Sequence, residues 1–463
     1  MPSLKTFYIL TATQLFSLIG SRMTGIAVGI RVFQDTGDTA PLLIAAFFAE
    51  LPSMIMGSFT GVIVDRWDRR HAIILGDVGQ AAGTLLLLAS FLSGAFALWH
   101  LYVAMLVQGI FAVIQRPAGE ASITMLVPEP LRDRANGLQA VSFPLAGVVA
   151  PVAAGALYGV IGLAGVIAFD LLTFVAAILI VALIRIPRPA QTDEGRAAQA
   201  SLWREITGGW AFLARRKPLL WMVIYLSFVF FLINGPLEIA LPYLITLTGD
   251  EATAGVLLGA MNLGAFAGAA TVAAVGRVAH RMRVILLGYF LLGALFVVYG
   301  AARHPLLIAL TLFLLMFPLP FNGALFTSIL QLKTPPDMQG RVFAITGQMF
   351  TLATPFSFLI TAALVDHVLE PAVGGPGWAV VAPLVGDRAG AGIGLLLAAV
   401  GAIIAATTLA AWAYPGIRQL ETRLPSYAAI AEGERTAGQG ATAATSPRVE
   451  AIKSSEQPGP AAG

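Results

Sequence analysis

Long apolar runs alternate along this chain with short polar interruptions. A helix needs roughly 20 residues to cross a hydrocarbon layer. Twelve runs meet that length: 7–33, 41–63, 72–93, 99–116, 137–158, 163–184, 219–246, 253–275, 284–302, 306–331, 342–367 and 390–414. A polar stretch carrying Pro187, Pro189, Asp193 and Glu194 divides them six and six. The expected organisation is an all-α membrane protein of twelve transmembrane helices. One six-helix bundle spans 1–185, a linker 186–217, a second bundle 218–415 and a tail 416–463. Within the linker, 201–217 keeps some apolar spacing, which predicts an amphipathic surface helix leading into span seven. Beyond about 425 the chain is Ala, Gly, Ser, Glu and Pro with few aromatics, so the tail is expected to be disordered and dispensable. The Gly- and Pro-rich stretch 370–388 suggests no function.

The halves repeat weakly. Thr36-Gly37-Asp38 recurs as Thr248-Gly249-Asp250, an offset of 212, and the same offset carries 71–76 onto 283–288. A second match, 126–134 on 333–341, superposes Arg134 on Arg341. Two similar six-span halves in parallel order are a transporter arrangement.

Composition sharpens the class. The chain is 57% hydrophobic and 11% charged, against an apolar fraction of roughly 45–50% in soluble domains. Its net charge of +3 does not point to nucleic acid, because nearly all Lys and Arg lie in short loops beside the spans. Counted by the positive-inside rule, those loops put both termini in the cytoplasm of a cell inner membrane. The N-terminal run lacks a small-residue cleavage site and is expected to be a retained first span. With no Cys and five scattered His, no metal site and no cofactor is expected. No nucleotide-binding motif is present, so transport energy must come from a gradient. An enzyme should cluster His, Asp or Glu at the membrane surface, and this chain does not.

The densest charge lies at 61–71, GVIVDRWDRRH, between spans two and three. The spacing Gly61-x-x-x-Asp65-Arg66-x-x-Arg69-Arg70 resembles the loop motif of the major facilitator superfamily. That resemblance implies two bundles rocking about a midplane substrate site. It also implies a cytoplasmic gate built from Gly61, Asp65, Arg66, Arg69, Arg70 and Arg134. Gly61 would allow close helix approach, Asp65 would cap helix three or pair with an Arg, and the Arg residues would hold anionic lipid headgroups. Gln34-x-Thr36-Gly37, Arg116-Pro117-Ala118, Leu126-Val127-Pro128 and Arg134-Ala135-Asn136-Gly137 resemble the drug:proton antiporter branch with macrolide efflux proteins, Tap-type multidrug pumps and enterobactin exporters. Two positions depart from it. The span-four Arg of many such antiporters falls near Met105, and their span-five signature survives only as Ala150-Pro151-Val152-Ala153-Ala154-Gly155.

A charge at the bilayer centre costs about 2.5–3.5 kcal/mol on insertion scales, so embedded ones need a reason. Arg22 and Glu50 lie 14 residues either side of Thr36, which predicts a shared depth and an ion pair. Their repeat counterparts are Asn234 and Asn262. A carboxylate beside an Arg suits proton coupling, and it equally suits a static fastener of spans one and two. Glu238 follows Asn234-Gly235-Pro236, where a helix break is expected, and its depth predicts a wetted carboxylate near the outer mouth. Asp170 and Asp366 are expected to be wetted at outer span ends, and Asp77 to pair with Arg116. Gln14, Gln108, Asn322 and Gln348 are path-lining or packing amides. The resulting expectation is a monomeric secondary transporter exporting amphipathic small molecules in exchange for protons. The alternatives are the same fold moving a siderophore, lipid or metabolite, and a transport-inactive scaffold.

Overall fold

The structure is a computed structural model that describes residues 4–127, 132–184, 202–274 and 278–424. The side chains of Gly61, Asp65, Arg66 and Arg134, four of the six gate candidates, lie outside the described residues. So does the chain beyond 424, which carries the expectation of a disordered tail.

Every predicted apolar run is helical, and no strand occurs among the described residues. The first bundle contains α1 (Leu4–Thr36), α2 (Ala40–Arg66), α3 (Arg69–Leu92), α4 (Leu98–Leu126) and α5 (Arg132–Leu183). At 52 residues, α5 would extend about 78 Å if straight, more than twice a hydrocarbon thickness. It is two spans folded at Gly162, whose φ of 65° is a conformation glycine adopts without strain. Helix α4 continues ten residues past the predicted end at Arg116. Polar residues there end the apolar run without ending the backbone ladder.

The surface helix α6 (Leu202–Arg215) is present, and Gly209 lets it lie against the Arg341 backbone. The second bundle contains α7 (Lys217–Glu238), α8 (Ala240–Thr248), α9 (Glu251–Ala274), α10 (Arg281–Ala301), α11 (Pro305–Met316), α12 (Pro318–Lys333), α13 (Pro336–Leu364) and α14 (Ala391–Ala413). Two of its spans are interrupted. Span seven breaks at Ile239, three residues after Pro236, and span ten at Phe317, just before Pro318. Proline acts on the turn before it, through its missing N–H and its ring: Pro242 cannot donate to the Glu238 carbonyl across the first break, and Pro318 directly follows the second.

Within the first half α1 packs on α5, α3 on α4 and α2 on α4. Within the second, α10 packs on α14, α7 on α13 and α9 on α11. The halves meet along α5 with α9 and along α2 with α13. Pro151 and Gly155 of α5 come so close to Gly255 and Ala252 of α9 that a Cβ at either glycine would crowd the opposing backbone.

Several expectations are corrected. Helix α3 is capped by Asp68, which accepts from the Arg70 N–H at 3.0 Å. Asp65 sits inside α2, because the break between helices falls at Trp67 and Asp68. Asp170 is 1% exposed, enclosed by hydroxyls of three spans. Asp366 is held between the two halves. Asp77 is fully buried, with glutamine partners in place of Arg116.

Candidate functional site

A cavity of about 460 Å³ lies where the halves meet. Arg22 of α1, Glu50 of α2, Glu238 of α7 and Asn262 of α9 all line it. The rest of the wall is mainly apolar and small, with Met105, Met261 and Phe358 as its larger flexible or aromatic members. Such a surface suits an apolar body carrying a few polar groups.

Gly147 of α5 makes one side of this site possible. A Cβ there would collide with the Asn262 side chain and stand 3.0 Å from Arg22 Nη1. The missing side chain therefore lets a cation of the first half and an amide of the second meet over one point of backbone. Asn262 is also tied to its own helix by an N–H bond to the Leu258 carbonyl at 3.0 Å.

Glu238 enters through the span-seven break. It is the last residue of α7, and Ile239 then adopts φ −86° and ψ 10°, leaving the helix. Gly235 brings this region against α13, where its N–H donates to Ser357 Oγ at 2.8 Å. Glu238 keeps an exposed side chain although it lies within the bundle, because the surface it exposes is cavity wall. It interacts electrostatically with both Glu50 and Arg22. Arg116 acts in turn on Arg22 and Glu50. Two carboxylates and two guanidiniums, drawn from both halves, thus form one coupled set.

The equal-depth argument for Arg22 and Glu50 needs correction. Helix α2 begins at Ala40, so Glu50 lies ten residues, about 15 Å, from its start, whereas Arg22 lies about 21 Å from the end of α1. Glu238 is ten residues from Thr248, the end of α8, and so shares Glu50's depth at about 15 Å. It is not at the outer mouth. Asn234 does not line the cavity, and its amide donates to the Phe230 carbonyl at 2.6 Å.

A second cavity, of about 320 Å³, lies within the first bundle toward the Asp68–Arg70 end. Gln14 donates to Asp77 at 3.2 Å, Gln115 donates to Asp77, and Gln80 donates to Gln115 at 2.5 Å. The exposed Arg116 borders this cavity and is the charge linking it to the first. Sequence spacing had singled out neither Arg116's reach nor the glutamine cluster, because both depend on which faces of α1, α3 and α4 meet.

Contacts between halves close the end opposite Arg70. Asp366 accepts from Thr39 N–H at 3.2 Å, Thr39 Oγ1 at 2.8 Å and Ala40 N–H at 2.5 Å, so a side chain of the second half caps α2 of the first. Gln34 donates to Glu251 at 2.6 Å. Nearby, hydrogen bonds from Thr253 hold the Asp250 carboxyl below the usual carboxylate range, which fits a helix-capping anion and not a proton carrier. At the other end Arg70 donates to the Ala182 carbonyl, fastening the α2–α3 turn to α5, while Arg69 is partly buried in the first turn of α3. Between the halves, Gln348 donates to the Met54 carbonyl at 2.9 Å, so it serves as packing.

The family model described as Major Facilitator Superfamily matches residues 10–358. Macrolide efflux protein A of Streptococcus pyogenes is 28% identical over 379 residues, covering 78% of this chain and 90% of that protein. Multidrug efflux pump Tap of Mycolicibacterium fortuitum is 23% identical over 356 residues, covering 75% and 86%. Among solved structures, a bacterial homologue of the human lysosomal transporter Spinster, in an inward-facing and unoccupied conformation, superposes with a TM-score of 0.67. It is 15% identical and covers 91% of this chain and 97% of that one. A D-xylose–proton symporter superposes at 0.61 with 14% identity, covering 87% and 97%.

Proposed function

Because the chain belongs to the Major Facilitator Superfamily, as the match over residues 10–358 establishes, we propose that this multi-pass membrane transporter exports amphipathic small molecules in exchange for protons. The observation that carries the reading is the placement of Glu238 on the wall of a largely apolar cavity between the halves, within electrostatic reach of Arg22 and Glu50. A carboxylate there gains or loses a proton according to whether water, substrate or Arg22 faces it, which ties its charge to the state of the cavity.

The halves then rock about this cavity in alternating access. The Asp366 cap and the Gln34–Glu251 bond would hold one mouth shut, and the α2–α3 turn would act at the other. The efflux proteins among the relatives favour export and suggest macrolides or apolar dyes as first substrates. The basic loops, by the positive-inside rule, put the Asp68–Arg70 turn in the cytoplasm.

The test is flux in proteoliposomes containing the full chain under an imposed pH gradient. Movement of a macrolide or cationic dye against its own gradient, abolished by a protonophore, is expected. Flux indifferent to the protonophore would refute proton exchange, and absence of movement for any such compound would refute the substrate class.

A further inference from the structure

The buried carboxylate of Asp170 has no part in the cavity chemistry above, yet its surroundings are built for a ligand. It is 1% exposed. Among the described residues no Lys or Arg pairs with it, and its neighbours are hydroxyls. Ser21 donates to Oδ1 at 3.1 Å and Thr84 to Oδ2 at 3.4 Å. Thr173 stands 3.5 Å from Oδ1, and Thr24 adjoins the carboxyl from α1. Hydroxyl–carboxylate bonds usually close to about 2.7 Å, so this shell is expanded.

The hydrogens in the shell are distributed unusually. Thr173 has one hydroxyl hydrogen, and the Asp170 carbonyl at 2.7 Å is its nearer acceptor. That leaves a Thr173 lone pair facing the carboxylate. Thr84 already accepts from Gln108 at 3.1 Å. The Thr24 hydroxyl, on a residue 3% exposed, is buried with no hydrogen-bond partner among the described residues. Lone pairs crowding a lone carboxylate in a low-dielectric interior are costly unless a cation sits among them.

We propose that Asp170, Ser21, Thr24, Thr84 and Thr173 form a binding site for a dehydrated alkali cation, namely sodium. Hard cations take oxygen ligands, and a cation held at about 2.3–2.6 Å in octahedral fashion separates adjacent oxygens by roughly 3.3–3.7 Å. The Thr84 and Thr173 distances fall in that range. One carboxylate balances one positive charge, which selects a monovalent ion over a divalent one. Gly20 leaves the room: a Cβ there would come within 2.7 Å of Thr173 Oγ1 and 2.9 Å of Asp170 Oδ1. Access is available from both sides, since Ser21 borders the smaller cavity and Thr24 the larger.

The experiment is equilibrium binding of radiolabelled sodium to the detergent-purified full chain, with choline as the inert control. Thermal unfolding of the same samples is followed in parallel. Saturable binding near one ion per chain, with a sodium-dependent rise in Tm, is expected. Asp170→Asn should abolish both effects. Thr24→Val guards against a misfolded Asp170 variant, because it is nearly isosteric and leaves the carboxylate in place. A purely structural cluster predicts an unchanged protein, whereas a sodium site predicts affinity weakened by about tenfold or more, as for losses from ion-binding shells generally. No saturable sodium binding to the unaltered chain, or binding undiminished in Thr24→Val and in folded Asp170→Asn, would overturn the proposal.

Discussion

The two halves share a repeat but are stabilised differently. Buried apolar residues of the second half form one large core running from Leu219 through Tyr243, Phe296 and Leu330 to Leu420, which Leu43 of α2 joins, and one small cluster around Trp378. Those of the first half fall into three separate clusters, around Ile73, Leu87 and Ala150. Between the three lie Asp77, Thr84 and Asp170, all buried, and the cavity-lining Arg22. Among the described residues, the only buried Asp, Glu, His, Lys or Arg of the second half is Lys333. It sits at a helix end and donates to the Glu421 carbonyl at 2.8 Å, docking the start of the tail. Both halves bury hydroxyls, but among the described residues only the first buries carboxylates, Asp77 and Asp170, between its clusters. Glu238 is a carboxylate that the second half delivers to the first through a broken helix.

That contrast can be broken at the contact it depends on. Gly147→Leu should abolish flux while the chain still inserts, since the side chain would occupy the space where Arg22 and Asn262 meet. Near-normal flux in proteoliposomes would mean the halves do not depend on that contact. The cores offer a second comparison. Phe296→Ala, in the large core and fully buried, should cost about 3–5 kcal/mol. Leu87→Ala, equally buried in a small cluster, should lie near the lower end of the roughly 2–5 kcal/mol seen for such truncations, because the divided half relaxes more readily. Chemical unfolding in detergent measures both, and equal losses would erase the distinction.

A smaller effect is expected at the closed end. Asp366→Ala removes a cap that the second half places on α2, and caps contribute about 0.5–2 kcal/mol. The chain has no Cys, so a single cysteine introduced at Leu42, on the cavity wall, reports opening of that end by its rate of labelling with a maleimide applied from that side. The rate should rise about 2- to 30-fold, the equivalent of that energy. An unchanged rate would show that the end is held by other contacts.

The twelve spans were legible in the sequence because lipid demands continuous apolar length; a break is expected at Pro236, whereas the proline that cannot donate across the break at Ile239 is Pro242. Arg22, Glu50 and Glu238, singled out by the cost of burying charge, line one cavity with Asn262, the uncharged repeat counterpart of Glu50. Their depths were misjudged because counting from Thr36 ignored the turn before Ala40. The burial of Asp170 and the interdomain role of Asp366 were not legible. Each depends on hydroxyls or backbone N–H groups that are distant in sequence, Thr84 in one case and Thr39 in the other. Asp77 was misassigned to Arg116 for a related reason. Neighbours along α4 point to different faces, and Gln115, not Arg116, turns toward α3.

The claim that a carboxylate of the second half carries the coupling for charges of the first is tested most directly by Glu238→Gln in proteoliposomes. Flux driven by a pH gradient and substrate exchange at equal pH would be measured side by side. The account predicts that gradient-driven flux falls by about tenfold or more, a loss of at least roughly 1.4 kcal/mol of coupling, while exchange persists because the cavity keeps its shape. Full gradient-driven flux in this variant would contradict it.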